Sequence, residues 1–281
     1  LPSSALRVKV GSAWHTWWRS ETAPVTWSGS LPLAQRLRWR AAAPGVEWAE
    51  IQLAGTGEAW RTRLVVARLD PARVRLALDT ASAGTPRRPA WDVAGVADDA
   101  LFAVNAGQFL HTMPWGLVVL DGRELLPAGT GPLSSALSAD ASGRLRWSHG
   151  DASRAGRDAA WAFQSYPTLL RDGVVPEPLR ADHGLIDVAH RDARAAVGTT
   201  ADGRLLVALT RFDALGGRLS FVPFGLTIPE MAAVMGALGA RDAMMLDGGI
   251  SAQMLIRDGS AARMWRGSRK VPLGLVALQR R

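Results

Sequence analysis

Hydrophobic and polar residues alternate in several segments of the chain, a pattern that predicts β-strands with one buried face. The alternation is clearest in residues 47–53, and it recurs in residues 61–69 and 73–78. Asp70-Pro71 separates the last two segments. Because turn-forming residues join two alternating runs there, we expect these two strands to pair as a hairpin or as part of a meander.

Shorter apolar runs predict buried strands, several of which end at turn residues or glycines. These runs span residues 101–104, 115–120, 205–209, 243–246 and 271–278. Asp-Gly pairs at 121–122 and 202–203 are typical of tight turns that connect neighbouring strands. The middle and the end of the chain are therefore predicted to be rich in strands.

The clearest helix prediction covers residues 229–238, where apolar residues follow the i, i+3, i+4, i+7 spacing. Thr227 and Glu230 have the form of a capping box, and Gly239 suits the end of the helix. A second, shorter helix is predicted at residues 91–100. Strands with a few separate helices predict an α+β fold with a mixed, mostly antiparallel twisted sheet and a few packed helices.

The first part of the chain differs from the rest in composition. Residues 1–45 contain five tryptophans and show poor periodicity, which predicts an extension, whereas residues 46–281 are predicted to form a single domain of catalytic type. Exposed indoles favour aggregation, so we expect these tryptophans to pack on the main domain. Stacking of the same indole rings on a glycan is the alternative.

Composition narrows the possible functions. The 281 residues are 48% hydrophobic and 21% charged, which is typical of a globular protein, and no apolar run reaches the roughly 18 residues of a membrane span. The absence of cysteine excludes disulfides, Cys-zinc sites, iron–sulfur clusters and thiol nucleophiles. The net charge of +8 rests almost wholly on dispersed arginines, and Lys9 and Lys270 are the two lysines. This charge favours a phosphate or an acidic glycan as partner, and we expect no nucleic-acid binding.

Several catalytic and cofactor motifs are missing from the sequence, including the G-x-S-x-G nucleophile elbow, the phosphate-binding loop and H-E-x-x-H. We expect no metal site and no cofactor, although a calcium ion held by aspartates and main-chain oxygens would leave no strong motif. One alternative function is a metal-assisted phosphodiesterase with Asp187, His190, Asp192 and Asp247 as ligands.

Two segments carry candidate chemistry because each directly follows a predicted buried strand. Residues 105–109 read N-A-G-Q-F, and residues 247–251 read D-G-G-I-S. A side chain at a strand end is held rigidly, and glycines allow a ligand to approach the main chain. Asp247 is a carboxylate suited to acid–base or nucleophilic chemistry. The alternative is that Asn105 and Asp247 simply stabilise turns.

Together with three further regions, these segments form an ordered set over about residues 60–279 that resembles the phosphodiester glycosidase family. The matching segments are 105–109, 116–119 with 121–123, 194–198 with 202–204, 230–232 with 238–240, and 246–251. The resemblance implies a hydrolase that cleaves the glycosidic bond of a sugar-1-phosphodiester, for example an N-acetylglucosamine-1-phospho linkage. It also implies a phosphorylated glycan of the cell envelope or an exopolysaccharide as substrate.

The resemblance assigns roles to individual residues. Asp247 and Glu230 match the catalytic carboxylates, although the capping box is the competing explanation for Glu230. Arg194 is expected to hold the phosphate in a bidentate manner. The other expected substrate-binding residues are Asn105, Gly107, Gln108, Gly248, Gly249 and Ser251. The sequence departs from the usual family motif at Ala106, Gln108 and Ile250.

Those departures also allow a non-catalytic glycan-binding module as an alternative function. The chain starts at Leu1 with no visible leader, which fits either a shortened chain or a mature exported protein whose signal peptide is gone. Because bacterial members of the resembled family are often exported, we expect a periplasmic or extracellular protein. The sequence does not indicate an oligomeric state.

Overall fold

The alternating and apolar segments form strands that pair almost entirely in antiparallel sheets. A computed structural model describes residues 3–81, 89–181, 184, 186–214, 222, 224–259 and 261–280. In the chain that these ranges cover there are 21 strands and one α-helix, α1 (Ile228–Ala237).

The strands of the first half are β1 (Ala5–Val10), β2 (Ala13–Arg19), β3 (Arg40–Ala43), β4 (Val46–Ala54), β5 (Thr62–Leu69), β6 (Val74–Asp79), β7 (Ala100–Asn105), β8 (Phe109–Leu110), β9 (Met113–Pro114), β10 (Val118–Leu120) and β11 (Arg123–Leu126). Those of the second half are β12 (Ser135–Ala139), β13 (Leu145–His149), β14 (Trp161–Ser165), β15 (Thr168–Leu170), β16 (Ala195–Thr200), β17 (Leu205–Phe212), β18 (Ala240–Leu246), β19 (Met254–Asp258), β20 (Ala261–Trp265) and β21 (Gly274–Gln279).

Three large sheets make up the fold. The nine-stranded sheet has the order β15-β18-β16-β17-β5-β4-β1-β2, with β3 paired to β4. One five-stranded sheet has the order β11-β10-β14-β12-β13, and the other has the order β20-β19-β7-β21-β6. The short β8–β9 hairpin stands apart from them. The strands that carry the two candidate segments, β7 and β18, therefore belong to different sheets.

The central core is shared by all three large sheets. It includes Trp48 from the nine-stranded sheet and Phe102 and Phe163 from the two five-stranded sheets, each at most 1% exposed. The opposite face of the nine-stranded sheet is covered by α1 and by tryptophans of the first 45 residues. Because this sheet is buried on both faces, a strand such as β17 is buried at every position and shows no alternation.

The predicted capping box is confirmed at the start of α1. The Thr227 hydroxyl accepts a hydrogen bond from the Glu230 N–H, and the Glu230 carboxylate accepts one from the Thr227 N–H. Farther along, Gly236 lies so close to the Trp27 ring that a Cβ would stand 2.2 Å from it. Within the described ranges, no helix is long and apolar enough to cross a membrane.

The structure shows that several of the predictions are wrong. Residues 91–100 contain turns and the start of β7 but no helix, because the Asp92 carboxylate accepts hydrogen bonds from the Ala94 and Gly95 N–H groups and stabilises a turn. The strands β5 and β6 do not pair; β5 pairs with β4 and β17, and β6 pairs with β21. The mostly antiparallel pairing is confirmed, but one α-helix instead of a few makes the described fold largely β.

The first 45 residues contribute strands to the nine-stranded sheet, since β1 pairs with β4 and β2 pairs with β1. Trp18 and Trp27 are buried, whereas Trp14 is 42% exposed. The division at residue 45 stays a prediction; in the structure it falls in the turn between β3 and β4.

A polar cluster connects the nine-stranded sheet to a five-stranded sheet at β18 and β13. His149 Nε2 lies 2.8 Å from Asp242 Oδ1, and His149 Nδ1 lies 2.7 Å from the Ser135 hydroxyl. Burial raises the pKa of Asp242, but the hydrogen bonds from His149 and the Asp172 N–H, together with the charges of His149 and Arg241, lower it by more, so the pKa lies below its ordinary value. The ionised form of Asp242 therefore stabilises the contact between these sheets.

We expect Asp242→Asn to lower the free energy of unfolding by about 1–3 kcal/mol at pH 7, because it removes the charge from this hydrogen bond. A lowered native pKa makes the contribution complete above the unfolded Asp pKa of about 3.9, and it is lost as the pH falls through the native pKa. Urea unfolding at several pH values tests this. Asp172→Asn, at a side chain that is 78% exposed, is the control and should cost less than about 1 kcal/mol. An equal loss for both variants at all pH values would contradict the prediction.

Candidate active site

The ends of β7 and β18 meet, and the contact joins the two segments that carried candidate chemistry in the sequence. Asn105 Nδ2 donates to the Asp247 carbonyl at 2.8 Å, and Asn105 Oδ1 accepts from the Gln253 N–H at 2.9 Å. Asn105 is 0% exposed. Its amide therefore supports the turn at residues 247–251, and the expectation that Asn105 contacts substrate stays a prediction.

Gly107 and Gln108 have the same supporting role. The Gly107 carbonyl accepts the Asp247 N–H at 2.9 Å, and this glycine has a positive φ of 69°. Gln108 Nε2 donates to the carbonyls of Tyr166 and Leu246 at 3.1 and 3.3 Å. Gln108, where the sequence departs from the family motif, thus bonds to the end of β18, the strand that directly precedes Asp247.

The two glycines of the turn allow a neighbouring chain segment to approach closely. A Cβ on Gly248 would lie 2.6 Å from the Ala193 carbonyl oxygen, and a Cβ on Gly249 would lie 2.8 Å from Asp192 Oδ2. Gly249 also has a φ of +57° and donates its N–H to the Ala193 carbonyl at 2.7 Å. The Gly249 N–H therefore bonds to the protein itself, and a contact between Gly249 and substrate stays a prediction.

The close approach at Gly249 brings a second carboxylate, Asp192, to the turn of Asp247. Burial raises the pKa of Asp192, and the charge of Arg194, the Ala193 N–H and the charge of His190 oppose this rise in part. The sequence offered Asp192 only as a metal ligand. Its position two residues before Arg194 in the matching segment was the available signal.

Asp247 has a raised pKa as well. Burial is the main cause; the Ser251 hydroxyl and Arg269 lower the pKa, and the charge of Asp192 raises it. Ser251, which is 2% exposed, therefore contacts Asp247 through its hydroxyl, and its contact with substrate stays a prediction. The turn thus presents a carboxylate that favours its protonated form more than a free aspartate does.

Arg269 is the basic residue that acts on Asp247, and sequence reasoning missed it. Its side chain is exposed, and its guanidinium carbon lies 4.7 Å from the centre of the Phe109 ring. Its N–H donates to the Ile250 carbonyl at 3.2 Å, and its carbonyl accepts from Gln253 Nε2 at 3.2 Å. The backbone is fixed to the turn while the guanidinium stays available to a ligand. The sequence around it has no motif that would have revealed it.

Arg194 is largely occupied by main-chain carbonyls. Nε donates to the Leu226 carbonyl at 2.8 Å, Nη2 donates to the His190 carbonyl, and the residue is 8% exposed. Nη1 and the second N–H of Nη2 have no partner among these bonds, so the expected clamp on a phosphate stays a prediction. The charge of Arg194 also acts on Asp192.

Glu230 is not placed to reach a substrate. It is 0% exposed, and its two oxygens accept from Arg191 Nη1 and Nη2 at 2.7 and 2.8 Å. One of those oxygens also accepts the Thr227 N–H at 3.0 Å. Glu230 therefore forms an ion pair inside the protein, and its expected catalytic function stays a prediction, whereas Asp192 is the second carboxylate that lies near the turn of Asp247.

The residues of the metal-site alternative are only partly brought together. His190 Nε2 lies 4.0 Å from Asp192 Oδ2, and the His190 N–H donates to Asp187 Oδ1 at 3.0 Å. Over the ranges that the structure describes, no three His, Asp or Glu side chains group closely enough to hold a metal ion.

The geometry can now be compared with known proteins. The family model described as phosphodiester glycosidase matches residues 94–278, which include Asp192, Asp247 and Arg269. No curated protein sequence matches the chain.

Three solved structures share the fold. The catalytic domain of zebrafish N-acetylglucosamine-1-phosphodiester alpha-N-acetylglucosaminidase, auto-inhibited by its pro-peptide, has a TM-score of 0.64 and 18% identity over 92% of this chain and 96% of that domain. A hypothetical protein from Synechocystis has a TM-score of 0.55 and 14% identity over 84% of this chain, which spans 62% of that protein. A candidate exported protein from Burkholderia pseudomallei K96243 has a TM-score of 0.53 and 18% identity, covering 82% of this chain and 74% of that one.

Paired carboxylates on a rigid framework are typical of enzymes that cleave glycosidic bonds. The family match gives the same class, so the protein is a hydrolase. The chain belongs to the phosphodiester glycosidase family.

We expect Glu230→Gln to cost about 3–5 kcal/mol of unfolding free energy, because it leaves the Arg191 charge without its buried partner. Glu58→Gln is the matched control, since Glu58 faces the same arginine at 3.8 Å but is 52% exposed. That control should cost less than about 1 kcal/mol. Urea unfolding of both variants is the measurement, and similar losses would show that the Glu230 pair is not the structural contact described above.

We expect Asp247→Asn to raise the melting temperature at pH 7. The native pKa of Asp247 is raised, so the native state disfavours its ionised form, and this penalty disappears as the pH falls below the unfolded pKa. The gain in melting temperature should therefore shrink towards pH 4 and below. Asp242→Asn is the control with the opposite sign, because the pKa of Asp242 is lowered. A lower melting temperature for Asp247→Asn at pH 7 would indicate that this carboxylate stabilises the fold.

Proposed function

We propose that this hydrolase cleaves the glycosidic bond of a sugar-1-phosphodiester and releases a free sugar and a phosphomonoester. The observation that supports this most directly is the approach of Asp192 to the turn of Asp247, with Arg269 beside the same turn. Enzymes that cleave glycosidic bonds use two carboxylates, and a guanidinium can hold the phosphate through charge-assisted hydrogen bonds.

The environments of the two aspartates suggest different roles in this proposal. Burial is the main cause of the raised pKa of Asp247 and the charge of Asp192 adds to it, so we assign Asp247 as the proton donor to the bridging oxygen of the leaving phosphate. Asp192 has Arg194, His190 and an N–H to support its negative charge, so it is the ionised carboxylate that faces the developing positive charge of the sugar. Water adds to the anomeric carbon as the carbon–oxygen bond breaks.

Arg269 is the residue we assign to the scissile phosphate. Its guanidinium is exposed, and it lies within electrostatic reach of Asp247. A phosphodiester carries one negative charge, and the guanidinium holds this charge while Asp247 protonates the oxygen that leaves the sugar. In this proposal Arg194 is a positioning residue for Asp192, and Asn105, Gly107, Gln108, Gly249 and Ser251 hold the turn.

We also propose a setting and a substrate class. The zebrafish neighbour is named for an N-acetylglucosamine-1-phosphodiester, and we propose the same linkage as the first to test here. The name of the Burkholderia neighbour supports export of that protein. We propose that this chain acts outside the cytoplasm, on phosphorylated glycans of the cell envelope or on exopolysaccharide.

The test is hydrolysis of UDP-N-acetylglucosamine and a panel of other sugar-1-phosphodiesters, followed by chromatography of the free sugar. Asp247→Asn should lower kcat by roughly 10²–10⁴-fold because it removes the proton donor. Asp99→Asn, which changes an exposed aspartate, is the matched control and should keep the wild-type rate. Arg269→Gln should mainly raise KM.

Two additions distinguish this reaction from phosphorus–oxygen cleavage. In ¹⁸O-water, carbon–oxygen cleavage leaves the released phosphomonoester unlabelled, whereas attack on phosphorus labels it. EDTA should leave the rate unchanged. A labelled phosphate, together with loss of activity in EDTA, would contradict the proposal and support a metal-assisted phosphodiesterase.

A further inference from the structure

A basic pocket that Arg269 helps to line lies next to the Asp247 turn. It has a volume of 190 Å³ and lies between residues 92–94 and residues 266–270, with Gln253 between them. Its charged side chains are Arg266, Arg269, Lys270 and Asp92. Three cations against one carboxylate give the pocket a net positive charge, in a region where the proposed reaction uses only Arg269.

Hydrogen bonds fix both walls of this pocket. Gln253 is 1% exposed; its Oε1 accepts the Val93 N–H at 3.0 Å, and its Nε2 donates to the carbonyls of Ser251 and Arg269 at 3.2 Å each. At the far end, Trp91 and Val271 exchange two main-chain hydrogen bonds of 2.9 Å. The two walls are thus held at a set separation by a buried amide and a strand-like bridge.

A buried arginine fixes the start of the basic wall. Arg211 is 4% exposed and donates through Nη2 to the carbonyls of Ala252, Trp265 and Arg266, the last at 3.2 Å. These bonds connect the end of β17 to the chain on both sides of the pocket. Because the backbone of residues 265–269 is held this way, the basic side chains start from fixed positions and lose less freedom when they bind an anion.

The single acid of the pocket is already occupied. Asp92 Oδ1 accepts the N–H groups of Ala94 and Gly95 at 2.9 and 3.0 Å, and Asp92 Oδ2 lies 3.5 Å from Lys270 Nζ. Lys270 is 62% exposed and keeps donors for a ligand. Asp92 therefore orients Lys270 and does not neutralise the charges of Arg266 and Arg269.

We infer that this pocket binds a second phosphate group of the substrate, on the leaving-group side of the scissile phosphodiester. Arg269 lines the pocket and acts on Asp247, so one side chain connects the two sites. The link to hydrolysis rests on the proposed function, whereas anion binding in the pocket does not. The preferred substrate would then carry a further phosphate next to the bond that is cleaved, as a chain of repeated phosphodiesters does.

The composition of the chain offers a direct test, because Lys9 and Lys270 are its two lysines. Reductive methylation with ¹³C-formaldehyde keeps the charge and labels both side chains for NMR. The inactive Asp247→Asn protein is titrated with inorganic phosphate, and separately with acetate, at constant ionic strength. We expect a saturable shift of the Lys270 signal with phosphate, no shift of the Lys9 signal, and a weaker response to acetate. Arg266→Gln should weaken phosphate binding roughly tenfold.

Parallel movement of both lysine signals, no shift of Lys270, or an equal response to acetate would overturn the inference. The second measurement compares two sugar-1-phosphodiesters that differ only by a terminal phosphate on the leaving group. The wild-type protein should have a kcat/KM roughly tenfold higher for the substrate with the extra phosphate. Lys270→Gln should abolish that preference, and Lys9→Gln should retain it.

The two proposals fail in different ways. If no phosphodiester is hydrolysed but Lys270 still reports saturable phosphate binding, the proposed function fails and the anion pocket stands. If hydrolysis occurs without phosphate binding at Lys270 and without a preference for the second phosphate, the pocket assignment fails alone.

Discussion

The site depends on one constraint, the bonding of the main chain at residues 247–251 to three separate parts of the chain. The end of β7 bonds to the Asp247 backbone, the segment before β16 accepts the Gly249 N–H, and Ser268 and Arg269 donate to the Ile250 carbonyl. These segments come from two different sheets and a loop. The carboxylate of Asp247 can therefore be held in a fixed position only when the sheets have packed, and folding of the core and assembly of the site are the same event.

The arginines near this turn differ in the groups that neutralise their charges. This difference separates the arginines that stabilise the fold from the one that we propose binds substrate. Arg191 pairs with the buried Glu230, and Arg211 is surrounded by carbonyls with its pKa lowered to about 10 by burial. The charged groups of Arg191 and Arg211 therefore bond to other groups inside the protein. Arg269 instead stays exposed beside a carboxylate whose pKa is raised. An exposed positive charge and a carboxylate with a raised pKa thus occur at the same turn, a combination that is typical of functional sites.

The sequence predicts features that are set by nearby residues and fails where distant residues decide. The strands β4, β7 and β17 and the capping box of α1 follow from local pattern. The pairing expected between β5 and β6 does not follow from it. Although Asp70-Pro71 is typical of a turn, β5 pairs with β17 in the nine-stranded sheet and β6 pairs with β21 in another sheet. The same limit applies to Glu230 and Asp192, which are both acidic residues near a matching segment. Only the packing of Arg191 shows that the neutralised carboxylate is that of Glu230.

The family motif itself is mostly scaffold, which explains why it could locate the site but not its substrate. Asn105, Gly107, Gln108 and Gly249 all direct polar atoms to main-chain groups of the protein. Such residues are required by the turn whatever sugar or phosphate is bound. The basic groups that we propose for the phosphates lie on a loop with no motif, at residues 266–270, where hydrogen bonds fix the backbone and the basic side chains are exposed. In this proposal the rigid turn sets the reaction, and the choice of substrate can change with the side chains of this one loop.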